Sequence, residues 1–161
     1  MKVVVQRVTG ASVSVDGAIT GKIDCGLLVY LGVALDDETA DADWLAEKIG
    51  HLRIFDDAEG KMNHSLIDLV NANENKVNSS VIGVLAISQF TLLGDARKGR
   101  RPSWSKAAPP EKACELYHYF IQKIRGQNLL CECGKFQARM KVCYTNEGPV
   151  TILLDSKERI K

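Results

Sequence analysis

The first third of the chain is written in two-residue alternation. Val3, Val5, Arg7 and Thr9 fall on one side of a β-pattern with Val4, Gln6 and Val8 on the other, and a second run covers 11–15. Asp16-Gly17 then supplies a tight hairpin turn, because glycine tolerates the positive φ such turns require. Residues 18–23 read as the return strand. Gly26 opens Leu27-Leu28-Val29-Tyr30-Leu31-Gly32-Val33, a continuous apolar run suited to a strand covered on both faces. After the acidic stretch Asp36-Asp37-Glu38 the period changes. Leu45, Ile49 and Leu52 recur at helical spacing, which predicts a helix over 39–53 whose N-terminus those carboxylates favour. Residues 71–80 are polar, rich in asparagine and without period, and read as a loop; the next strand is 81–88. Pro109-Pro110 precedes a second helical stripe of Ala113, Leu116, Tyr117, Phe120, Ile121 and Ile124, stopped by Gly126. Three short strands are predicted at 129–133, 138–144 and 150–154. Hairpin-linked strands, then strand-helix units, then terminal strands predict an α/β protein with mixed sheets.

Composition narrows this to one domain spanning 1–161. At 45% hydrophobic and 25% charged residues, 161 residues can bury a real core. No apolar run approaches the ~20 residues that span a bilayer, and Met1-Lys2 leads directly into a strand pattern. The expected compartment is therefore the cytoplasm, with no membrane partner. Five cysteines, an odd number, point to reduced thiols instead of a disulfide framework. A net charge of +1 excludes a globally basic nucleic-acid-binding profile, so any such contact needs a local patch. Arg97, Lys98, Arg100 and Arg101, clustered around Gly99, form one. Read alone, they are either a solvated loop or a set of phosphate ligands.

Conventional catalytic patterns are missing from the sequence. His51 and His118 fall in predicted helices, His64 in a polar turn, and none has a neighbour that suggests a triad. Cys131 and Cys133 form a C-x-C pair, not the usual structural-zinc spacing, and no H-E-x-x-H is present; neither a metal nor a cofactor is expected. What remains is Ser88-Gln89-Phe90-Thr91-Leu92 at the end of an apolar strand. Its hydroxyls lack an evident base in sequence, but backbone N–H groups at a strand end can stabilise the developing oxyanion of an ester. Near the C-terminus, Asn146-Glu147-Gly148-Pro149-Val150-Thr151 breaks a strand pattern with a Gly-Pro step, which composition alone reads as a strand-initiating turn with a trans bond.

Together these two segments resemble the signature motifs of the D-aminoacyl-tRNA deacylase family. Gln6-Arg7-Val8, Leu52-Arg53-Ile54-Phe55, Gly60-Lys61-Met62-Asn63 and Arg97-Lys98-Gly99-Arg100-Arg101-Pro102-Ser103 occur in the family's order, so the likeness covers nearly the whole chain. It implies two β-layers with helices packed on one side, and a homodimer with the active site at the subunit interface. The implied reaction is hydrolysis of the ester in D-aminoacyl-tRNA and mischarged glycyl-tRNA, with L-aminoacyl-tRNA rejected. By resemblance, Gln89, Phe90 and Thr91 hold the ester, assisted by the substrate's own 2′-hydroxyl. Gly148 and Pro149, as a cis pair from the partner subunit, wall off an L side chain. Phe136 and Met140 contact the adenosine, Ser88 and Asn146 support the motifs, and the Arg97 to Arg101 cations take tRNA phosphates. Gln137 and Arg139 depart from the family's pattern beside Phe136, and 71–80 is longer than in compact members. A non-catalytic nucleic-acid-binding module on the same fold is the alternative; a metal or thiol redox protein, resting on the cysteines, is a third.

Overall fold

The computed structural model describes residues 1–73 and 80–159. Fourteen residues of alternating sequence form one strand, β1 (Lys2–Val15), which turns at Asp16-Gly17 into β2 (Ala18–Gly32). The two pair antiparallel along almost their full length. The breaks expected within each are kinks in continuous strands: Gly10 sits at φ 64° and Gly26 at φ 131°, and pairing resumes beyond both. After α1 (Thr39–Gly50) comes a small ribbon, β3 (Phe55–Asp56) with β4 (Met62–His64), and then α2 (Leu66–Asn73). Strand β5 (Ile82–Ser88), helix α3 (Pro110–Arg125), β6 (Leu130–Cys133) and β7 (Met140–Asp155) complete the chain.

The main sheet runs β6-β5-β2-β1-β7, with β5 parallel to both β2 and β6 and the other pairs antiparallel. This is the mixed α/β architecture expected. The described helices all lie on one face. Leu45 and Ile49 of α1, Leu66 of α2 and Phe120, Ile121 and Ile124 of α3 close over Val3, Val5, Leu27, Val29, Val84 and Ala86. The opposite face carries a second core with no helical member: Val8, Ala11, Val13, Ile23, Leu28, Leu85 and Ile87. The sheet covers that core itself by coiling back, so the β1–β2 hairpin end lies over β5 and β6. Gly21 marks the crossing, where an added Cβ would stand 2.9 Å from the Cys133 carbonyl oxygen and 3.1 Å from Leu85.

Several expected boundaries move. The first helix ends at Gly50 instead of Arg53. α2 was not expected; Ser65 starts it by a reciprocal cap, its Oγ accepting from Asp68 N (3.2 Å) while Asp68 Oδ2 accepts from Ser65 N (2.8 Å). Residues 71–73 of the expected 71–80 loop belong to this helix, and 74–79 lie outside the described residues. The strands expected at 138–144 and 150–154 are one strand, β7, which begins at Met140 and passes through Gly148-Pro149 while pairing with β1 on both sides. No described helix is long and apolar enough to cross a membrane.

A buried ionic knot joins the chain ends. The Met1 ammonium donates to Asp37 Oδ1 and Ser156 Oγ, both at 2.5 Å, and Asp37 also accepts from Ala34 N at 2.6 Å. Lys157 completes it, 3.4 Å from Asp37 and 3.1 Å from Asp41.

Candidate active site

β5 delivers an apolar run, Val84 to Ile87, through the middle of the domain and ends at Ser88. There the chain turns into a single 3-10 turn, Phe90–Leu93. The turn stands beside a cavity of about 740 Å³ whose wall includes Ser88, Gln89 and Phe90 from this segment and Phe136, Gln137, Ala138 and Met140 from the turn before β7. Leu31, Val33 and Ile87 also line it, with Ala113 and Tyr117 of α3. Five of the expected site residues, Ser88, Gln89, Phe90, Phe136 and Met140, thus share one concave surface.

The main-chain donors at this strand end are not equivalent. Gln89 N–H donates to Leu31 O at 2.8 Å, continuing the sheet ladder, so it cannot serve an oxyanion. Phe90 and Thr91 open the 3-10 turn, where the first N–H groups have no acceptor within the turn. Phe90 lies on the cavity wall; Thr91 is one step beyond, its hydroxyl accepting a hydrogen bond from the Gln89 side-chain amide.

Tyr117 is a wall residue that the sequence did not single out as functional. Its hydroxyl donates to Ala86 O at 2.8 Å, and burial pushes its pKa far above the ordinary phenol value. Its ring tilts against Phe136, centroids 5.9 Å apart, which fixes the face Phe136 presents. The spacing of Ala113 and Tyr117 on one helical face was visible; what that face lines was not. Gln137, one of the positions that depart from the family pattern, takes φ 60° on the cavity wall.

Gly148 and Pro149 do not line this cavity in their own chain. They lie exposed on β7, and their peptide bond is cis. Gly148 sits at φ 113°, and a Cβ there would come within 2.8 Å of Val150 Cγ2 and 3.1 Å of Arg7 Nη2. Arg7, buried under this segment, donates to Ile54 O at 2.8 Å and pairs with Asp56 at 3.2 Å. Asn146 Nδ2 donates to Thr151 Oγ1 at 3.1 Å, tying the two flanks together, and its Oδ1 is buried without a partner among the described residues.

The four cations of 97–101 sit in an exposed loop closed by reciprocal backbone bonds between Asp95 and Ser103, both 2.9 Å. Arg97 is already committed. Its guanidinium folds back onto Asp95, at 2.9 and 3.0 Å from Nε, and holds that carboxyl well below the usual carboxylate range. Lys98, Arg100 and Arg101 carry no such pairing among the described residues.

The mixed α/β domain thus sets a donor-bearing turn beside a largely apolar cavity. The sequence pattern of D-Tyr-tRNA(Tyr) deacylases matches residues 4–155. The D-aminoacyl-tRNA deacylase of Koribacter versatilis is 56% identical over 158 residues, 98% of this chain and 99% of its own; that of Thermosipho melanesiensis is 54% identical over 159 residues with the same coverage. Among solved structures, one described as c-Myc DNA unwinding element binding protein superposes with a TM-score of 0.83 at 38% identity, covering 96% of this chain and 98% of that one. Another, a probable eukaryotic D-amino acid tRNA deacylase, shares the fold with a TM-score of 0.75 at 17% identity, covering 95% and 97%. The chain belongs to the D-Tyr-tRNA(Tyr) deacylase family, a family of enzymes, and hydrolysis of D-aminoacyl-tRNA is the activity this membership carries.

Proposed function

We propose that the chain removes D-amino acids and glycine from tRNA while sparing L-aminoacyl-tRNA, as a cytoplasmic homodimer whose cavity is completed by the partner's Gly148-Pro149 segment. The observation that carries the mechanism is what the cavity lacks: none of its described lining residues is a histidine, carboxylate, lysine, arginine or cysteine. Tyr117 is held as a neutral phenol and spends its proton on Ala86. Ser88, the other wall hydroxyl, has no base on the wall to activate it. An aminoacyl ester is already activated, so stabilising the oxyanion and positioning an internal base are enough. Phe90 N–H is the donor for the oxyanion, and the 2′-hydroxyl of the terminal adenosine assists. Phe136 and Met140 hold that adenosine, Gln89 and Thr91 brace the ester end through their side-chain hydrogen bond, and Lys98, Arg100 and Arg101 take phosphates.

Backbone atoms carry the selectivity. Gly148 and Pro149 lie exposed on β7 and are not among the residues that line their own cavity, so a second copy is the means of bringing them to the ester. Carbonyl oxygens against the α-carbon collide with an L side chain, leave a D side chain free, and meet nothing in glycine. A rival reading, nucleic-acid binding without turnover, draws on the name of the neighbour that superposes at a TM-score of 0.83; turnover of charged tRNA separates it from the enzyme. The mechanism itself is tested with a 3′-linked D-aminoacyl-tRNA whose terminal adenosine lacks the 2′-hydroxyl. Loss of an assisting group should slow single-turnover hydrolysis by about 10²–10⁴, and an unimpaired rate would overturn substrate assistance.

A further inference from the structure

We infer that Trp104, paired with Phe90, forms a stacking platform for the base of the nucleotide that precedes the terminal adenosine of tRNA, a subsite outside the cavity. The inference rests on the adenosine-end reading above and extends it by one nucleotide. Phe90 is 56% exposed and Trp104 41%, a large aromatic area left in water. Their centroids are 5.3 Å apart at 70°, an edge-to-face pair that leaves ring face uncovered.

The platform is rigid. A Cβ at Gly94 would lie 2.5 Å from Trp104 Cζ3 and 3.2 Å from Cε3, so the indole rests directly on the Gly94 backbone. The Asp95–Ser103 bridge on one side and the Ala107 N to Trp104 O bond of 3.0 Å on the other fix the main chain that carries it. Binding there costs little ordering.

Its position gives the occupant. Phe90 belongs both to the cavity wall and to the aromatic pair, so the platform begins where the cavity ends. A terminal nucleoside seated against Phe136 sends the preceding nucleotides out through that mouth. The next features they meet are an aromatic surface and, in the loop leading to Trp104, the exposed cations Lys98, Arg100 and Arg101. Exposed aromatic rings beside cations match the two faces of single-stranded RNA, stacked bases and phosphates.

Trp104 and Trp44 are the two tryptophans of the chain, so a Trp44→Phe protein reports on Trp104 alone. Its fluorescence should be quenched by the RNA dinucleotide CpA and not by adenosine, with CpA binding about five- to a hundredfold more tightly. Trp104→Ala should raise KM for D-tyrosyl-tRNA over the same five- to hundredfold range while kcat stays within about twofold, and Trp104→Phe should restore most of the loss. Equal binding of CpA and adenosine without quenching, or an unchanged KM in Trp104→Ala, overturns the platform. So does a Trp104→Ala protein that sediments as a monomer when the parent is a dimer, since the pair would then be covered by a second copy. Normal deacylation by a protein whose Trp104 ignores CpA discards the platform and leaves the proposed function standing. Failure to bind either ligand discards the adenosine-end reading itself.

Discussion

Replacing Phe90 with proline deletes one main-chain donor from the mouth of the cavity. The position accepts the change: Gln89 ahead of it lies at φ −143°, ψ 81°, outside the helical region that proline disfavours in its predecessor, and Phe90 opens its turn, where a fixed φ fits. Phe90→Ala is the reference, since it removes the ring but keeps the N–H. Its lost contact with Trp104 is worth about 1 kcal/mol, roughly fivefold in rate or binding. A single oxyanion donor contributes about 10²–10³ in rate. Phe90→Pro should therefore run about a hundredfold or more below Phe90→Ala in single-turnover release of D-tyrosine at saturating enzyme. Thr91→Ala completes the set. It loses one exposed side-chain bond to Gln89, about 1 kcal/mol or fivefold, whereas removal of a protein nucleophile can cost on the order of 10⁶. Equal rates for the proline and alanine variants at 90 would refute the donor assignment. A folded, tRNA-binding but inactive Thr91→Ala protein would replace it with a threonine nucleophile.

Among the loop cations, Lys98→Ala, Arg100→Ala and Arg101→Ala should each weaken tRNA binding at low salt more than Arg97→Ala, because Arg97 is tied to Asp95; filter binding across a salt series checks this, and equal effects for all four would contradict it. Asp37→Asn leaves the Met1 ammonium buried without its carboxylate and should cost about 3–5 kcal/mol in urea unfolding, a loss far above that of a surface substitution. Burial raises the Asp41 pKa, but the Glu38 N–H, Ser156 and Lys157 outweigh it and hold the carboxyl below its usual value. Its stabilisation is present above the unfolded-state pKa of about 3.9 and is lost as pH falls through the lower folded value, so Asp41→Asn should flatten the acid limb of a stability-pH curve.

Strand content was legible in the sequence because alternation and apolar runs are strong local signals. Continuity was not. A positive-φ glycine interrupts the alternation at Gly10 and Gly26 without ending the strand, because β1 and β2 hold each other in register on both sides of the kink. Gly148-Pro149 misleads in the same way: proline suggests a strand start, yet β7 is the edge strand of the sheet, with no ladder partner on one side among the described residues, where its missing N–H is tolerated. α2 is eight residues, barely two turns, too short for a helical repeat to stand out along the sequence, and the β3–β4 ribbon is shorter still. In the site, the motif residues were legible, while the loss of Gln89 N–H to Leu31 was not, because it depends on a parallel pairing distant in the chain. Trp104 carried no sequence signal; only its rest against Gly94 and its edge contact with Phe90 bring it out.

In the proposed mechanism this chain hydrolyses an aminoacyl ester by reading the α-carbon with backbone atoms. Matched D-tyrosyl- and L-tyrosyl-tRNA, prepared on the same tRNA and given the same enzyme, test it most directly. Release of D-tyrosine should be complete while the L-ester decays no faster than it does without enzyme, a difference of at least about a hundredfold. Comparable rates for the two would contradict it, because a wall of carbonyls against the α-carbon cannot be indifferent to configuration.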